Sequence, residues 1–108
     1  MKVRYTDEAL RDLDEVLTYI ARNYPTVVST FEARLNTALR RIGRWPRSAE
    51  TVKQRPGVRV VPLRRYPYKI FYQVTSDSIE ILHIHHSARQ GPGKASHNGT
   101  TPVAAGIA

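Results

Sequence analysis

Two stretches hold most of the residues that could do chemistry. Residues 64–74 read RRYPYKIFYQV, with Arg64, Arg65 and Lys69 set among aromatic and apolar side chains, and residues 83–89 read HIHHSAR, three histidines and a further arginine. Cations of this kind hold a phosphate or another anionic surface without moving its protons. Metal-free cleavage of RNA needs more: a base for the 2′-hydroxyl proton, cations for the charge developing on the phosphate, and an acid for the leaving oxygen. Histidine is the one side chain here that titrates near neutrality without help, so the patch could cut or only hold. A metal is a third possibility, because His83 and His85 share one face of an extended strand. By simple alternation the nearby carboxylate, Glu80, points the other way, so no metal site and no cofactor are expected.

The elements that position these groups are legible from periodicity. KVRYT (2–6) is short and β-branched and reads as an opening strand. Thr6 can cap a helix whose first turn carries Asp7 and Glu8, acids favoured at the positive end of the helix dipole. Leu10, Leu13, Val16, Leu17 and Ile20 then recur at helical spacing, and Pro25 ends that helix by excluding the residue before it from helical geometry. Pro25 suits the first turn of a second helix, with Val28, Phe31, Leu35, Ala38, Leu39 and Ile42 on one face and Gly43 and Pro46 as its stop. With so short a link, the two helices form an antiparallel hairpin.

After a polar connection over 47–57 the period becomes extended. GVRVVPL, YKIFYQV and SIEILHIHH read as an antiparallel meander. Pro62 cannot donate to a ladder, so the first of these runs is expected at an edge or to end in a bulge. Apolar residues on both parities of IEILHI point to a central strand covered on both faces. Tyr68, Ile70 and Tyr72 alternate with Lys69, Phe71 and Gln73, which favours sheet packing over a platform for stacked bases. Trp45 reads as a lid over the helix ends. The fold class is therefore α+β, an N-terminal strand and a helical hairpin followed by a three-stranded antiparallel meander (β-α-α-β-β-β). One domain over 1–90 is followed by a loose Gly, Pro, Ser and Thr tail over 91–108.

Charge and composition narrow the partner. The 108 residues carry a formal net charge of +8. Residues 7–15 hold five acids against a single cation, so the remainder is more basic than the total implies. Such a surplus suits a nucleic acid, a ribosome or an acidic protein. With zero cysteines, disulfides and zinc-thiolate sites are excluded, and the start MKVRYTDEAL has no hydrophobic signal region, which places the chain in a cytoplasm.

The order of elements, DLDEVLTYI on the first helix, and the closing YPYKIFYQV and IEILHIHHSAR together resemble the RelE/ParE superfamily of toxins from type II toxin-antitoxin systems, over about residues 1–90. The resemblance implies a small sheet whose concave face meets the target, a helical hairpin behind it, and a cognate antitoxin, ParD-like and of ribbon-helix-helix type. RelE-like members cleave messenger RNA on the ribosome, whereas ParE-like members inhibit DNA gyrase. Carried over from the nuclease branch, the basic residue of the penultimate strand falls on Lys69, the arginine after the last strand on Arg89, and a turn arginine on Arg64. Val60 and Pro62 stand where that branch has lysines, and GPGKAS replaces its tyrosine. His86 lies one residue out of register with the histidine some relatives use, and a one-residue slip reverses the face.

The sequence therefore reads as a ParE-like toxin that binds gyrase through Arg59, Arg64, Arg65, Lys69 and Arg89. The alternative is a metal-independent, ribosome-dependent endoribonuclease using Arg64, Lys69, His86 and Arg89, so whether the chain is an enzyme stays open. A plain nucleic-acid binding module would explain the charge but not the strand motif.

Overall fold

The computed structural model describes residues 1–88, so Arg89 and the tail expected over 91–108 lie outside the described residues. The chain runs β1 (Lys2–Tyr5), α1 (Asp7–Asn23), a single 3-10 turn (Pro25–Val27), α2 (Val28–Arg44), β2 (Glu50–Thr51), β3 (Val58–Pro62), β4 (Tyr68–Val74) and β5 (Ser78–His86). The expected β-α-α-β-β-β order is present, with one addition. The connection over 47–57 contains the two-residue strand β2, too short and too polar to signal itself by periodicity.

The five strands form one sheet in the order β1-β5-β4-β3-β2. β2 to β5 pair antiparallel, and β1 returns to lie parallel to β5, Val3 beside Ile79 and Tyr5 beside Ile81. β5 is thus central. β2 reaches only Arg59 and Val60 of β3, so Pro62 sits past the end of β2, where its missing N–H leaves no ladder bond unmade. The expected bulge is not at Pro62. It lies where the β4–β5 register shifts between Phe71 and Tyr72, with Phe71 opposite His83 and Tyr72 opposite Ile81, so that Leu82 is the extra residue of β5. Below the bulge Ile79 and Ile81 face the helices, and above it Ile84 and His86 do. The apolar residues on both parities of this run reflect that change of phase.

Both helices lie on one side of the sheet. Thr6 caps α1 as expected, its hydroxyl oxygen accepting from the Ala9 N–H (3.1 Å), while the same hydroxyl donates to the Ile81 carbonyl (2.9 Å). The buried stripe of α1 is Ala9, Val16 and Ile20, with Leu13 and Leu17 half-buried. Leu10, expected in that stripe, is 49% exposed, because one residue of helix rotates a side chain by about 100° and Ala9 occupies the inward position instead. In α2 Phe31, Leu35 and Ile42 are buried, and Val28, Ala38 and Leu39 pack at the margin. The helix continues through Gly43 to Arg44 and stops at Trp45, whose extended φ of −131° ends the turn two residues later than the glycine implied. Against these stripes lie Tyr68, Ile70, Tyr72, Ile79, Ile81 and Ile84.

The difference in burial between the helices has a measurable consequence. Leu35, at 4% exposure, is expected to cost about 2–5 kcal/mol when cut to alanine, and half-buried Leu13 distinctly less, since less packing is removed. Equal losses in chemical denaturation would mean that α1 contributes more core than its exposure indicates.

Candidate target-binding face

In an antiparallel pair, residues directly opposite share a face. Lys69 opposite His85, Phe71 opposite His83, and Gln73 opposite Glu80 therefore project from the side of the sheet away from the helices. Lys69 is half-buried there, Phe71 and His85 are buried, and the Phe71 and His85 rings stand 5.4 Å apart. Tyr68 and Tyr72 point the other way into the core, as expected for packing side chains. The Tyr72 hydroxyl donates to the Pro46 carbonyl (2.7 Å), and burial pushes its pKa up against the opposing charge of Arg59, which keeps it a donor.

The sequence-derived cations do not form one patch. Arg59 opposes Tyr72, so it lies on the helix side, where its guanidinium donates to the carbonyls of Arg47 (3.1 Å) and Ala49 (2.7 Å) and holds the 47–51 connection. Arg64 and Arg65 are exposed in the turn between β3 and β4, and Arg65 adopts a left-handed φ of 75°, uncommon for a residue with a side chain. The turn is closed by the Leu63 N–H on the Tyr68 carbonyl (2.9 Å). His86 opposes Tyr68, on the helix side of the sheet, with the two rings 5.5 Å apart and its Nδ1 accepting from the Ala88 N–H (3.1 Å). Lys69 and His86 thus leave opposite faces. Of the four residues proposed for cleavage, the described structure brings no histidine of that set to Lys69; the imidazole across from Lys69 belongs to His85.

Two further features were hidden in the sequence. First, Glu80 does not point away from His83 and His85, because the Leu82 bulge restores it to their face; there it accepts from the Gln73 amide (2.9 Å). The carboxylate that does reach the histidines is Asp12 of α1. β1 ends at Tyr5 and leaves the edge of β5 open, and Asp12 covers it: the Ile84 N–H donates to Asp12 Oδ2 (3.0 Å), His83 Nδ1 is 3.5 Å and His85 Nε2 3.8 Å from the same oxygen. Burial alone would raise the Asp12 carboxyl, but hydrogen bonds from His83 and Ile84 and the nearby imidazoles hold it below the usual carboxylate range. Its position three residues after Ala9 and four before Val16, on the buried face of an amphipathic helix, is the signal that could have found it. Replacing Asp12 by alanine leaves the Ile84 amide without that acceptor and is expected to cost about 1–3 kcal/mol, with Asp12→Asn milder because an oxygen remains. Equal urea midpoints for wild type and Asp12→Ala would contradict this role.

Second, a groove of about 310 Å³ opens between α2 and β3, lined by Arg34, Arg41, Trp45, Val61, Leu63 and Arg64 among others. Trp45 is not a lid: it is 55% exposed, on the rim of the groove, with the Arg44 guanidinium 5.1 Å above its ring.

A small antiparallel sheet with a parallel N-terminal strand and a helical hairpin on one side is a fold that this chain shares with solved structures. The fold matches a chain of the chromosomal ParDE toxin-antitoxin system from P. aeruginosa at a TM-score of 0.70 and 23% identity, over 80% of this chain and 95% of that one. It also matches the isolated RelE toxin of E. coli at a TM-score of 0.54 and 20% identity, over 82% and 86%. The family model of the ParE toxin of type II toxin-antitoxin systems (parDE) matches residues 3–91, and "Putative toxin Y4kP" of Sinorhizobium fredii is 35% identical over 95 residues, spanning 84% of this chain and 93% of that protein. The chain belongs to the ParE toxin family, within the RelE/ParE superfamily, and its partner is a cognate antitoxin. Among the described residues, no helix is long and apolar enough to cross a membrane.

Proposed function

We propose that this toxin arrests growth by binding DNA gyrase and that it does not cut RNA. The observation that carries the reading is the separation of Lys69 and His86 onto opposite faces of β4 and β5: the phosphate-holding cation and the proton-moving group of the nuclease alternative do not meet. Without general acid and base a ribonuclease forgoes roughly 10²–10⁴-fold in rate for each. Membership of the ParE branch supports the same reading. Binding through Arg64, Arg65 and Lys69, with Arg89 as a further candidate outside the described residues, needs no proton transfer. The antitoxin we propose is of ribbon-helix-helix type. The groove beside α2, apolar along Val61 and Leu63 and basic at Arg34, Arg41 and Arg64, suits an acidic and partly apolar segment of that partner.

A second reading has one observation in its favour. Lys69 and His85 stand directly across from each other on one face, an arrangement that a ribosome-dependent endoribonuclease could use. One pair of assays separates the two. Purified toxin is expected to inhibit plasmid supercoiling by gyrase and to leave messenger RNA intact in a translating extract. Codon-dependent cuts at sub-stoichiometric toxin, with supercoiling unaffected, would reverse the assignment.

A further inference from the structure

We propose that Asp12, His83 and His85 form a binding site for a divalent cation of the zinc class, joining α1 to the open edge of β5. Two imidazoles two residues apart on a strand share a face, and here their rings stand 4.8 Å apart with the Asp12 carboxylate between them and the helix. The three ligand atoms lie within 4.8 Å of one another. Tetrahedral zinc, with bonds of about 2.0–2.1 Å, places neighbouring ligand atoms about 3.3 Å apart. The separations of 3.5 and 3.8 Å from Asp12 Oδ2 close to that value by small side-chain rotations.

The donor set also fits the ion. Imidazole nitrogen and carboxylate oxygen suit zinc, nickel, copper and cobalt, whereas magnesium and calcium prefer oxygen alone. Asp12 is oriented by the Ile84 amide, the kind of outer contact that fixes a ligating carboxylate. The side chains of His83 and Asp12 retain 18% and 17% exposure, so an ion can enter from the rim, while His85 at 4% closes the inner side. Three protein ligands leave a further position open to water or to a group of a partner. Lys69, across from His85, opposes a dication, and the Asp12 charge offsets it.

The test uses the full-length, tag-free protein, stripped with a chelator and dialysed. Cobalt(II) is titrated by visible absorption and zinc by calorimetry. One equivalent is expected to bind, and zinc at about a hundredfold excess over its Kd should raise the unfolding temperature by roughly 10 °C. His83→Ala and Asp12→Asn should each weaken binding about tenfold or more. Because Asp12 also holds Ile84, His83→Ala, on the rim and checked by circular dichroism, is the deciding variant. His97→Ala, outside the described residues, should leave binding unchanged. Failure to bind either metal, wild-type affinity in His83→Ala, or loss of binding in His97→Ala would overturn the site.

Discussion

Phe31→Ala is expected to remove about 3–5 kcal/mol of folding stability. Phe31 has no exposed surface and stacks edge-to-face on Tyr66 at 5.3 Å and on Tyr68 at 5.8 Å between ring centroids. Such pairs add about 0.5–1.5 kcal/mol beyond the area they bury. Against a total of about 5–15 kcal/mol for a domain, the loss leaves a marginal fold. The effect also reaches the face proposed to meet the target. Tyr66 lies in the turn that carries Arg64 and Arg65, and Tyr68 opens the strand that carries Lys69, so the phenylalanine is the prop of both. Phe31→Leu, which keeps most of the volume, should retain more than half of the stability. Equilibrium urea unfolding measures both, and a loss below about 1 kcal/mol for the alanine variant would mean that α2 does not anchor the turn.

The residues that the sequence placed correctly are those whose signal is local. Thr6 with its two acids marks a cap, and the stripe of α2 marks a face, because capping and periodicity are decided within one or two turns. What it misplaced depends on contacts between distant segments. The strand β2 exists because Glu50 and Thr51 meet Val60 and Arg59, which nothing in two polar residues announces. The bulge at Leu82 arises because β5 must keep apolar residues toward the helices along nine positions. One inserted residue then puts Glu80 on the face of His83 and His85, and puts His86 on the face of Ile79 and Ile81. Face assignments by plain alternation therefore fail on one side of it. Asp12 could be read only as one of five acids on α1 until the end of β1 exposed the β5 edge that it covers. Arg59, counted among binding cations from charge alone, is held by two carbonyls of its own chain. Composition gives the number of cations on a small basic protein, but pairing and register decide which of them a partner can meet.

That distinction sets the last expected result. If the toxin binds gyrase as proposed, Lys69→Ala should weaken that binding by about tenfold, and the deficit should shrink as salt is raised, because a half-buried cation on the proposed binding face contributes through charge that salt screens. Arg64→Ala, from the exposed turn, should act mainly through a slower association rate. His86→Gln should change neither quantity, since its ring stands behind the sheet against Tyr68. Growth arrest on induction, read beside a supercoiling assay with the purified variants, gives the order: wild type and His86→Gln together, Arg64→Ala weaker, Lys69→Ala weakest. A folded His86→Gln protein that has lost toxicity while Lys69→Ala keeps it would place the working surface on the other side of the molecule. If Lys69→Ala instead abolishes codon-dependent cleavage and leaves supercoiling untouched, the cation holds a messenger phosphate, and the imidazole across from it, His85, is the group to test for the proton.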